Sequence, residues 1–207
     1  MKIVLEKAGK KFYREWVFRN LNLELSSADS LAVLGSNGSG KSTLLQIISG
    51  SMVPTEGIIQ YHENEHKIEN EDIFRQVSFA SPYLELIEEF TLTEIIHFHF
   101  RIKKSVHNFS TDEIISISKL EHAREKIIKY FSSGMKQRVK LALALLSDVK
   151  IILLDEPCSN LDKESKKWYR DLVEQYSKNK ITVVCSNNQA EEFDFCERQI
   201  NLMDWKK

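Results

Sequence analysis

A glycine-rich segment, "GSNGSGKST" at residues 35–43, carries the residue types needed to hold a phosphate group. Glycines let successive backbone N–H groups point inward at phosphate oxygens because no Cβ atom intervenes. Lys41 supplies a point charge for the terminal phosphates, and the Ser42 hydroxyl can ligate Mg²⁺. A short apolar strand precedes the segment and a helical pattern follows it, so the phosphates would also lie at a helix N-terminus. The spacing from Gly35 through Gly40 to Ser42 therefore predicts a P-loop.

Two carboxylates stand at the end of a second apolar strand, in the segment "IILLDEP". Open α/β sheets bind ligands at the carboxyl ends of their strands, and the sequence places Asp155 and Glu156 at such an end. We expect Asp155 to hold Mg²⁺ through water and Glu156 to polarise an attacking water as general base. The alternative is that both carboxylates are solvated surface charges. The four apolar residues before Asp155 argue against this alternative, because they indicate a buried strand.

A third strand end carries amides, where the chain continues "ITVVCSNN" and the β-branched run meets Asn187 and Asn188. An asparagine amide can donate a hydrogen bond to a phosphate oxygen or to water. It cannot carry positive charge or relay a proton at neutral pH, as an imidazole can. Asn187 is therefore a candidate neutral hydrogen-bond donor at this strand end. A strand-end asparagine that bonds its own backbone is the alternative.

The elements that must position these groups follow from the apolar patterning. Alternation predicts half-buried strands at 3–6 and 21–25, and further strands are predicted at 31–35, 57–61 and 77–80. Later strands are predicted over "KIILLDEP", "ITVVCS" and "QINLM". Strands that alternate with helices, some of them apolar throughout, indicate an α/β sheet with a parallel core.

The pattern turns helical from about residue 82 to residue 131. Two capping boxes are predicted to open helices there, Thr91 with Glu94 and Ser110 with Glu113. The segment "HFHF" at 97–100 would permit a metal-binding histidine pair, but its alternation with phenylalanine inside this lobe favours a core or partner-facing segment.

Composition excludes several classes of protein. The 207 residues are 42% apolar and 29% charged with a net charge of −1, so nothing in the balance points to nucleic acid or to an anionic membrane surface. The apolar runs are far shorter than the roughly 18 residues needed to cross a bilayer. Three scattered cysteines favour reduced thiols over a disulfide framework. The start of the chain has no signal-peptide pattern, and we expect a cytoplasmic protein.

A motif before the acidic strand distinguishes among P-loop families. The segment "YFSSGMKQRVKLALALL" at 130–146 resembles the signature motif of the ATP-binding cassette (ABC) ATPases, with residues 131–135 standing where that family usually has Leu-Ser-Gly-Gly-Gln. GTPases instead need an Asn-Lys-x-Asp base reader after a strand, and "NKIT" at 179–182 lacks the aspartate and precedes its strand. The resemblance covers essentially the whole chain, with the motifs in the family's order.

The resemblance implies a site for ATP and Mg²⁺ in which each group has a role. The catalytic residues would be Glu156, Lys41 and Asn187, and the metal would be held by Ser42 and Asp155. The nucleotide would contact Phe12, which has the spacing of the aromatic that stacks on adenine, and the loop residues Gly35, Ser36, Asn37, Gly38, Ser39, Gly40, Lys41, Ser42 and Thr43. Ser132, Ser133 and Gly134 would contact the γ-phosphate held by a second cassette, so the resemblance also implies a head-to-tail dimer, expected to be a homodimer.

The implied fold is α/β, with a P-loop NTPase-type mixed sheet core, an antiparallel N-terminal β part and an inserted helical lobe. A single cassette would span residues 1–207. Its RecA-like core would take 1–81 and 135–207, and the helical subdomain 82–134 would carry the signature motif. "SNLD" at 159–162 resembles the family's D-loop, and Asp162 is also predicted to cap the next helix.

The sequence departs from the family's pattern at two positions. After the strand "VSFA" the family usually has a glutamine that reaches the metal, whereas this chain continues with Ser81 and Pro82. Gln76 is near but lies at the other end of that strand. At the end of "ITVVCS" the family usually has a histidine facing the γ-phosphate, and Asn187 occupies that place. Asn187 is thus interpreted as a substituted γ-phosphate sensor.

The expected function is that of an ATP-binding and ATP-hydrolysing subunit of an ABC transporter. It would dimerise on ATP to drive a transmembrane permease on a separate chain, peripheral at the cytoplasmic face of the membrane and without direct contact to nucleic acid. Residues from about 82 to 94 would line the groove that takes a permease helix. Two alternatives stay open: a non-transport ABC ATPase acting with soluble assembly partners, and a weakly hydrolysing nucleotide-binding partner subunit.

Overall fold

The structure is a computed structural model that describes residues 1–64 and 66–206. Within these residues the strands are β1 Lys2–Phe12, β2 Glu15–Ser26, β3 Ser30–Leu34, β4 Glu56–Glu63, β5 His66–Ile68, β6 Val77–Ala80, β7 Ile151–Asp155, β8 Ile181–Ser186 and β9 Arg198–Asn201. The α-helices are α1 Lys41–Ile48, α2 Leu92–Ile102, α3 Thr111–Ile117, α4 Ser133–Leu145 and α5 Lys163–Tyr176.

The strands form two sheets in the described part of the chain, which confirms the predicted mixed α/β class. An antiparallel sheet has the order β2-β1-β4-β5, and a second sheet has the order β6-β7-β8-β3-β9. In the second sheet β8 runs parallel to both β3 and β7, and β3 runs parallel to β9. Every residue of β7 and β8 is buried, as continuously apolar parallel strands require.

The chain forms two compact units. Unit 1 comprises residues 1–79, 149–156 and 179–207, and unit 2 comprises residues 80–148 and 157–178. Unit 1 contains α1 and both sheets except Ala80 at the end of β6, and Leu44 and Leu45 of α1 belong to its apolar core. Unit 2 contains the remaining four described α-helices, the longest of which has 14 residues. No helix among the described residues is long and apolar enough to span a membrane.

Unit 2 is larger than the lobe predicted at 82–134, because it includes α4 and α5. These two helices pack against each other. Trp168 on α5 donates a hydrogen bond to the Ile117 carbonyl at the end of α3, over 2.7 Å, and its ring lies 5.2 Å below the Arg138 guanidinium of α4. These contacts join elements far apart in sequence, which local patterning cannot reveal.

Both predicted capping boxes are present. The Thr91 hydroxyl accepts from the Glu94 amide, while the Glu94 carboxylate accepts from the Thr91 amide at 2.8 Å. Ser110 and Glu113 make the same pair of bonds at the start of α3. The backbone amide and the hydroxyl of each cap residue both donate to the glutamate carboxylate, and these bonds hold its pKa below the ordinary value because they stabilise the ionised form.

Two details of the β-structure differ from the prediction. The strand predicted over "QINLM" ends at Asn201, and Leu202–Trp205 form a 3₁₀ turn. The Asn201 side chain accepts from the Met203 amide at 3.1 Å, which closes the turn in place of a strand. The short strand β5 was not predicted, and it pairs antiparallel with β4.

The histidines of "HFHF" do not form a metal-binding pair. They are two positions apart on α2, so they point to different sides of the helix. His97 is exposed, whereas His99 is partly buried with its Nε2 atom 2.9 Å from the Ser147 hydroxyl. Burial lowers the pKa of His99 to about 4, and the nearby Lys103 adds to this effect. The core interpretation therefore applies to His99.

We predict that His99 makes the free energy of unfolding sensitive to mild acid. Its native-state pKa lies below that of the unfolded chain, so its contribution is fully present above pH 6.5 and is lost as the pH falls towards 4. Between pH 7 and pH 5 the loss should be about 1 to 2 kcal/mol. Urea unfolding should show that His99→Gln removes this part of the pH dependence while His97→Gln leaves it intact. Equal pH dependence in wild type and His99→Gln would contradict the prediction.

Candidate functional site

The glycine-rich loop joins β3 to α1 in unit 1. Gly40 is the residue before the first turn of α1 and has a left-handed backbone, with φ 103°. A Cβ atom at Gly40 would lie 2.1 Å from Cγ1 of Val17, a stiff side chain on the neighbouring sheet. Both the backbone angle and the close approach of Val17 therefore require glycine at this position.

Lys41 folds back beneath the loop. Its ammonium group donates to the carbonyl oxygens of Gly35 at 2.8 Å and Ser36 at 3.1 Å. It also donates to the amide oxygen of Asn187 at 3.1 Å. The ammonium is thus linked to the end of β3 and to the end of β8 at the same time. Ser39, two residues before it in the loop, is buried, and its hydroxyl has no hydrogen-bond partner among the described residues.

Ser42 and Asp155 meet at the start of α1 and the end of β7. The Ser42 hydroxyl donates to a carboxylate oxygen of Asp155 over 2.6 Å. Asp155 is buried at the carboxyl end of its strand. A hydroxyl and a carboxylate side by side are the oxygen ligands that Mg²⁺ takes in phosphate sites. The donor set therefore fits the predicted metal, with both predicted ligands adjacent.

Glu156 follows directly after β7 with an unusual backbone. Its φ is 43°, in the left-handed region that non-glycine residues rarely adopt. Its amide donates to the Cys185 carbonyl on β8 at 2.9 Å, which continues the β7–β8 ladder in which Asp155 is level with Cys185. The chain thus turns sharply after Asp155.

Asn187 bonds into the glycine-rich loop. Its amide oxygen accepts from Lys41, and its amide nitrogen donates to the side-chain oxygen of Asn37. A turn fixes the backbone around it, because the Ser186 hydroxyl accepts from the Gln189 amide at 3.1 Å. The alternative of a strand-end asparagine satisfied by its own backbone is therefore wrong.

Phe12 lies at the end of β1 beside the hairpin turn to β2, and it is partly exposed. It borders an open cavity of about 600 Å³ that Gly38 of the glycine-rich loop also lines. The other lining residues are Tyr13, Arg14, Glu15, Trp16, Val17 and Lys206. The predicted base platform and the phosphate loop thus border the same cavity of unit 1.

In unit 2 the predicted signature residues open α4. The Ser132 hydroxyl caps the helix by accepting from the Met135 amide at 3.2 Å, and the exposed Ser133 is the first helical residue. A Cβ atom at Gly134 would lie 2.9 Å from the carbonyl oxygen of Asn160. Gly134 therefore lets the loop that follows β7 approach the helix closely.

The loop that follows β7 ends at the predicted N-terminal cap of α5. Asp162 accepts from the Ser165 amide at 2.8 Å and begins α5. The hydrogen bonds from Ser165 hold the pKa of Asp162 below its ordinary value. In α4 the buried Gln137 donates from Nε2 to the Pro157 carbonyl at 2.9 Å, so it anchors the other end of the same loop.

Lys140 is a residue that the sequence interpretation missed. It is buried on α4 and donates to the carbonyl oxygens of Ser81 at 3.1 Å and Pro82 at 2.7 Å. Burial lowers its pKa, but the two carbonyls stabilise the charged form. Lys140 thus holds Ser81 and Pro82, the two residues that stand where the family usually has a glutamine. A lysine inside the apolar run of α4 was the sequence signal that could have indicated this contact.

The predicted partner groove borders Lys140. An open cavity of about 600 Å³ is lined by Pro82, the residues 84–89, Lys136 and Lys140. Glu88 and Lys136 form an ion pair across it at 2.6 Å. Tyr83, Leu84 and Ile87 are exposed large apolar side chains of this segment. The groove therefore offers both apolar surface and carboxylates.

The three cysteines are all buried, and one of them lies beside the site. Cys185 on β8 is fully inaccessible, while Cys158 and Cys196 are nearly so. Burial raises the pKa of the Cys185 thiol, and the neighbouring Asp155 carboxylate raises it further. These thiols are therefore structural apolar groups rather than reactive ones.

A parallel sheet whose strand ends carry a glycine-rich loop, an Asp-Glu pair and an amide defines a P-loop nucleotide-binding fold. The family model described as ABC transporter matches residues 18–159, and the chain belongs to this family.

Similar proteins agree with this assignment. The chain is 30% identical to a sulfate/thiosulfate import ATP-binding protein of Halalkalibacterium halodurans, over 100% of this chain and 60% of that protein. It is 31% identical to the protein of the same description from Mesostigma viride, over 95% of this chain and 58% of that protein. The chain thus spans about 60% of the length of these relatives.

Solved structures share the fold. A putative ABC transporter ATP-binding protein from Pyrococcus furiosus superposes with a TM-score of 0.83 at 21% identity, and each chain is covered completely. A dimeric ATP-binding cassette in a post-hydrolysis state, bound to ADP and phosphate, has a TM-score of 0.82 at 24% identity, covering 96% of this chain and 93% of that one.

Two glycines of the loop give a matched test of its packing. Gly38 and Gly40 are both left-handed, but no described heavy atom lies within 4 Å of a Cβ atom at Gly38. We predict that Gly38→Ala lowers the free energy of unfolding by only about 1 to 2 kcal/mol, the cost of the backbone angle. Gly40→Ala should cost at least about 2 kcal/mol more, because Val17 must move.

Urea unfolding of both variants measures the difference. Val17→Ala combined with Gly40→Ala should recover part of the extra loss, because the clashing methyl is removed. Equal losses for the two glycine variants, or no recovery in the double variant, would contradict the close approach of Val17.

Proposed function

We propose that this chain is the ATP-binding and ATP-hydrolysing subunit of an ABC transporter. The contact of Ser42 with Asp155 is the observation that carries the proposal. It joins the start of the phosphate loop helix to the acidic strand end, with Glu156 next in the chain. Burying a hydroxyl and a carboxylate beside a glycine-rich loop does not improve the packing of the core, so a role in binding a ligand explains this pair better.

The nucleotide would bind along unit 1. Adenine would stack on Phe12, and the phosphates would take hydrogen bonds from the backbone of residues 35–43. Lys41 would exchange its carbonyl acceptors for the terminal phosphates, because phosphate oxygens are stronger acceptors for an ammonium group.

Mg²⁺ would be held by Ser42 and by Asp155 through water. When bound, it supplies positive charge that neutralises the phosphate oxygens. Glu156 would accept a proton from the attacking water, and its position directly after the metal-binding carboxylate suits that role. Asn187 would donate a hydrogen bond to the terminal phosphate.

A second cassette would complete each site. Ser132, Ser133 and Gly134 open α4, and the N-terminal end of this helix favours an anion such as the terminal phosphate of a second copy. We propose a head-to-tail homodimer, in line with the dimeric cassette of the same fold.

The permease would be a separate chain that inserts an amphipathic helix into the groove along residues 82–94. Exposed Tyr83, Leu84 and Ile87 provide apolar contact for such a helix. The proposed location is therefore the cytoplasmic face of a membrane, through this partner. The names of the curated relatives, which are import ATP-binding proteins, support a transport role.

A second candidate function is a nucleotide-binding partner subunit that hydrolyses weakly. Asn187 favours it, because an amide replaces the imidazole expected at this strand end. Ser81 and Pro82 favour it as well, since Lys140 holds the segment where the glutamine is expected.

Replacing the proposed general base distinguishes these candidates. Glu156→Gln should lower the turnover number for ATP at least about 100-fold while nucleotide affinity stays within a few fold, because the amide cannot accept the proton. Glu164→Gln, an exposed change in the first turn of α5, is the matched control and should retain activity. Wild-type turnover as slow as that of Glu156→Gln would support the weakly hydrolysing subunit instead.

Capture from membranes tests the partner. We expect the chain, purified from gently solubilised native membranes, to retain a multi-span protein in stoichiometric amount. Ile87→Glu should release that protein without changing ATP turnover, because it places a charge in the apolar part of the groove. Recovery of soluble companions alone, with full ATPase activity, would favour a non-transport ABC ATPase.

A further inference from the structure

The side chain of Asn37 makes a contact that the proposed function does not use. Its backbone belongs to the phosphate loop, but its side-chain oxygen accepts from the amide nitrogen of Asn187. Asn187 lies 150 residues further along the chain, and its amide oxygen accepts from Lys41 at 3.1 Å. The Asn187 amide is therefore held from both of its ends.

Lys41 determines which end of the Asn187 amide is the oxygen. An ammonium group has donors and no acceptor, so the atom facing it must be an oxygen. The NH₂ group of Asn187 must then face Asn37, which presents its own oxygen. Amide orientations are usually ambiguous, but these two neighbours leave a single consistent assignment.

This arrangement leaves one N–H of Asn187 available. An amide NH₂ has two hydrogens, and Asn37 accepts one of them. The torsion that orients an asparagine amide is broad, so a lone Asn187 could present either its oxygen or its nitrogen to a phosphate. An oxygen facing a phosphate would be repulsive, whereas an N–H would stabilise it.

Asn37 is needed to hold the orientation of the Asn187 amide when Lys41 binds the phosphates of the nucleotide. Lys41 would then exchange the Asn187 oxygen for phosphate oxygens, and Asn37 would be the remaining group that fixes the amide. The backbone cannot do so, because the turn between Ser186 and Gln189 fixes the main chain and not the amide torsion.

We propose that Asn37 is a positioning residue that orients the Asn187 amide so that its second N–H donates to the terminal phosphate. The two asparagines together replace the imidazole that the strand end lacks. This inference rests on the proposed ATPase function, and it concerns a pair of side chains rather than Asn187 alone.

Kinetics of single and double variants of the full chain test the pairing. Asn37→Leu keeps the size of the side chain but has no acceptor, and it should lower kcat about threefold to tenfold with little change in KM. Asn187→Ala should lower kcat by a similar or larger factor. The double variant should be no slower than Asn187→Ala, because the two residues act through one hydrogen bond to the phosphate.

Asn37→Asp is the conservative variant. It keeps an oxygen that can accept from Asn187, so its kcat should lie above that of Asn37→Leu. Its KM should rise, because a negative charge is added near the phosphates. Asn188→Gly is the matched control, since Asn188 is exposed with a left-handed backbone and should tolerate glycine with unchanged kcat.

The dependence of kcat on pH is a further test, because it would not change if the side chain at position 187 had only a structural role. Asn187→His introduces an imidazole, whose pKa the adjacent Lys41 ammonium should lower from its ordinary value, so its kcat profile should gain an inflection that wild type lacks.

Three outcomes would overturn the proposal: losses in kcat that multiply in the double variant, a change in KM alone for Asn37→Leu, or equal kcat values for Asn37→Leu and Asn37→Asp with both below wild type. Failure of wild type to hydrolyse ATP would instead refute the proposed function, which the Glu156→Gln comparison tests separately.

Discussion

Lys41 carries an ammonium group on a residue that is only 5% exposed to solvent. Removing a cation from water is unfavourable by several kcal/mol unless nearby acceptors replace its hydration. Here the acceptors are the carbonyls of Gly35 and Ser36 and the amide oxygen of Asn187, all neutral oxygens. A cation held by neutral dipoles rather than by a carboxylate keeps its full charge available for an anionic ligand. The end of β3, the start of α1 and the end of β8 must therefore meet within hydrogen-bond distance of one atom.

The parallel sheet meets this requirement through its register. Cys185 of β8 is level with Val33 of β3 on one side and with Asp155 of β7 on the other. Strands β3, β7 and β8 thus end at nearly the same level of the sheet, and the segments that follow them leave the sheet at the same edge. Continuous apolar strands make this possible, because burial on both faces fixes them among α1 and the neighbouring strands. The packing of the core therefore also determines where the polar groups at the ends of these strands lie.

Local patterns predicted much of this architecture. The glycine-rich loop, both capping boxes, the helix cap at Asp162 and the buried strands each depend on residues within one short segment, so their chemistry is visible in the sequence. The roles assigned to Phe12, Glu156 and the signature residues stay predictions, although the structure places Phe12 and the phosphate loop around one cavity.

The features that escaped prediction are contacts between distant segments. Lys140 meets the carbonyls of Ser81 and Pro82 across 58 or 59 positions, and Asn37 meets Asn187 across 150. No periodicity links such partners. The extent of unit 2 escaped for the same reason, because it depends on how α4 and α5 pack.

The burial of the three cysteines makes the chain convenient for spectroscopy. Maleimides and methanethiosulfonates react with accessible thiolates, and the inaccessible Cys185 is further protected by its raised pKa. The native sequence can therefore serve as its own low-background parent for single-site labelling, without mutating its core. Tyr13, at the fully exposed tip of the β1–β2 hairpin beside the proposed adenine cavity, is the position at which Tyr13→Cys would carry a fluorophore that reports on the arrival of a nucleotide base.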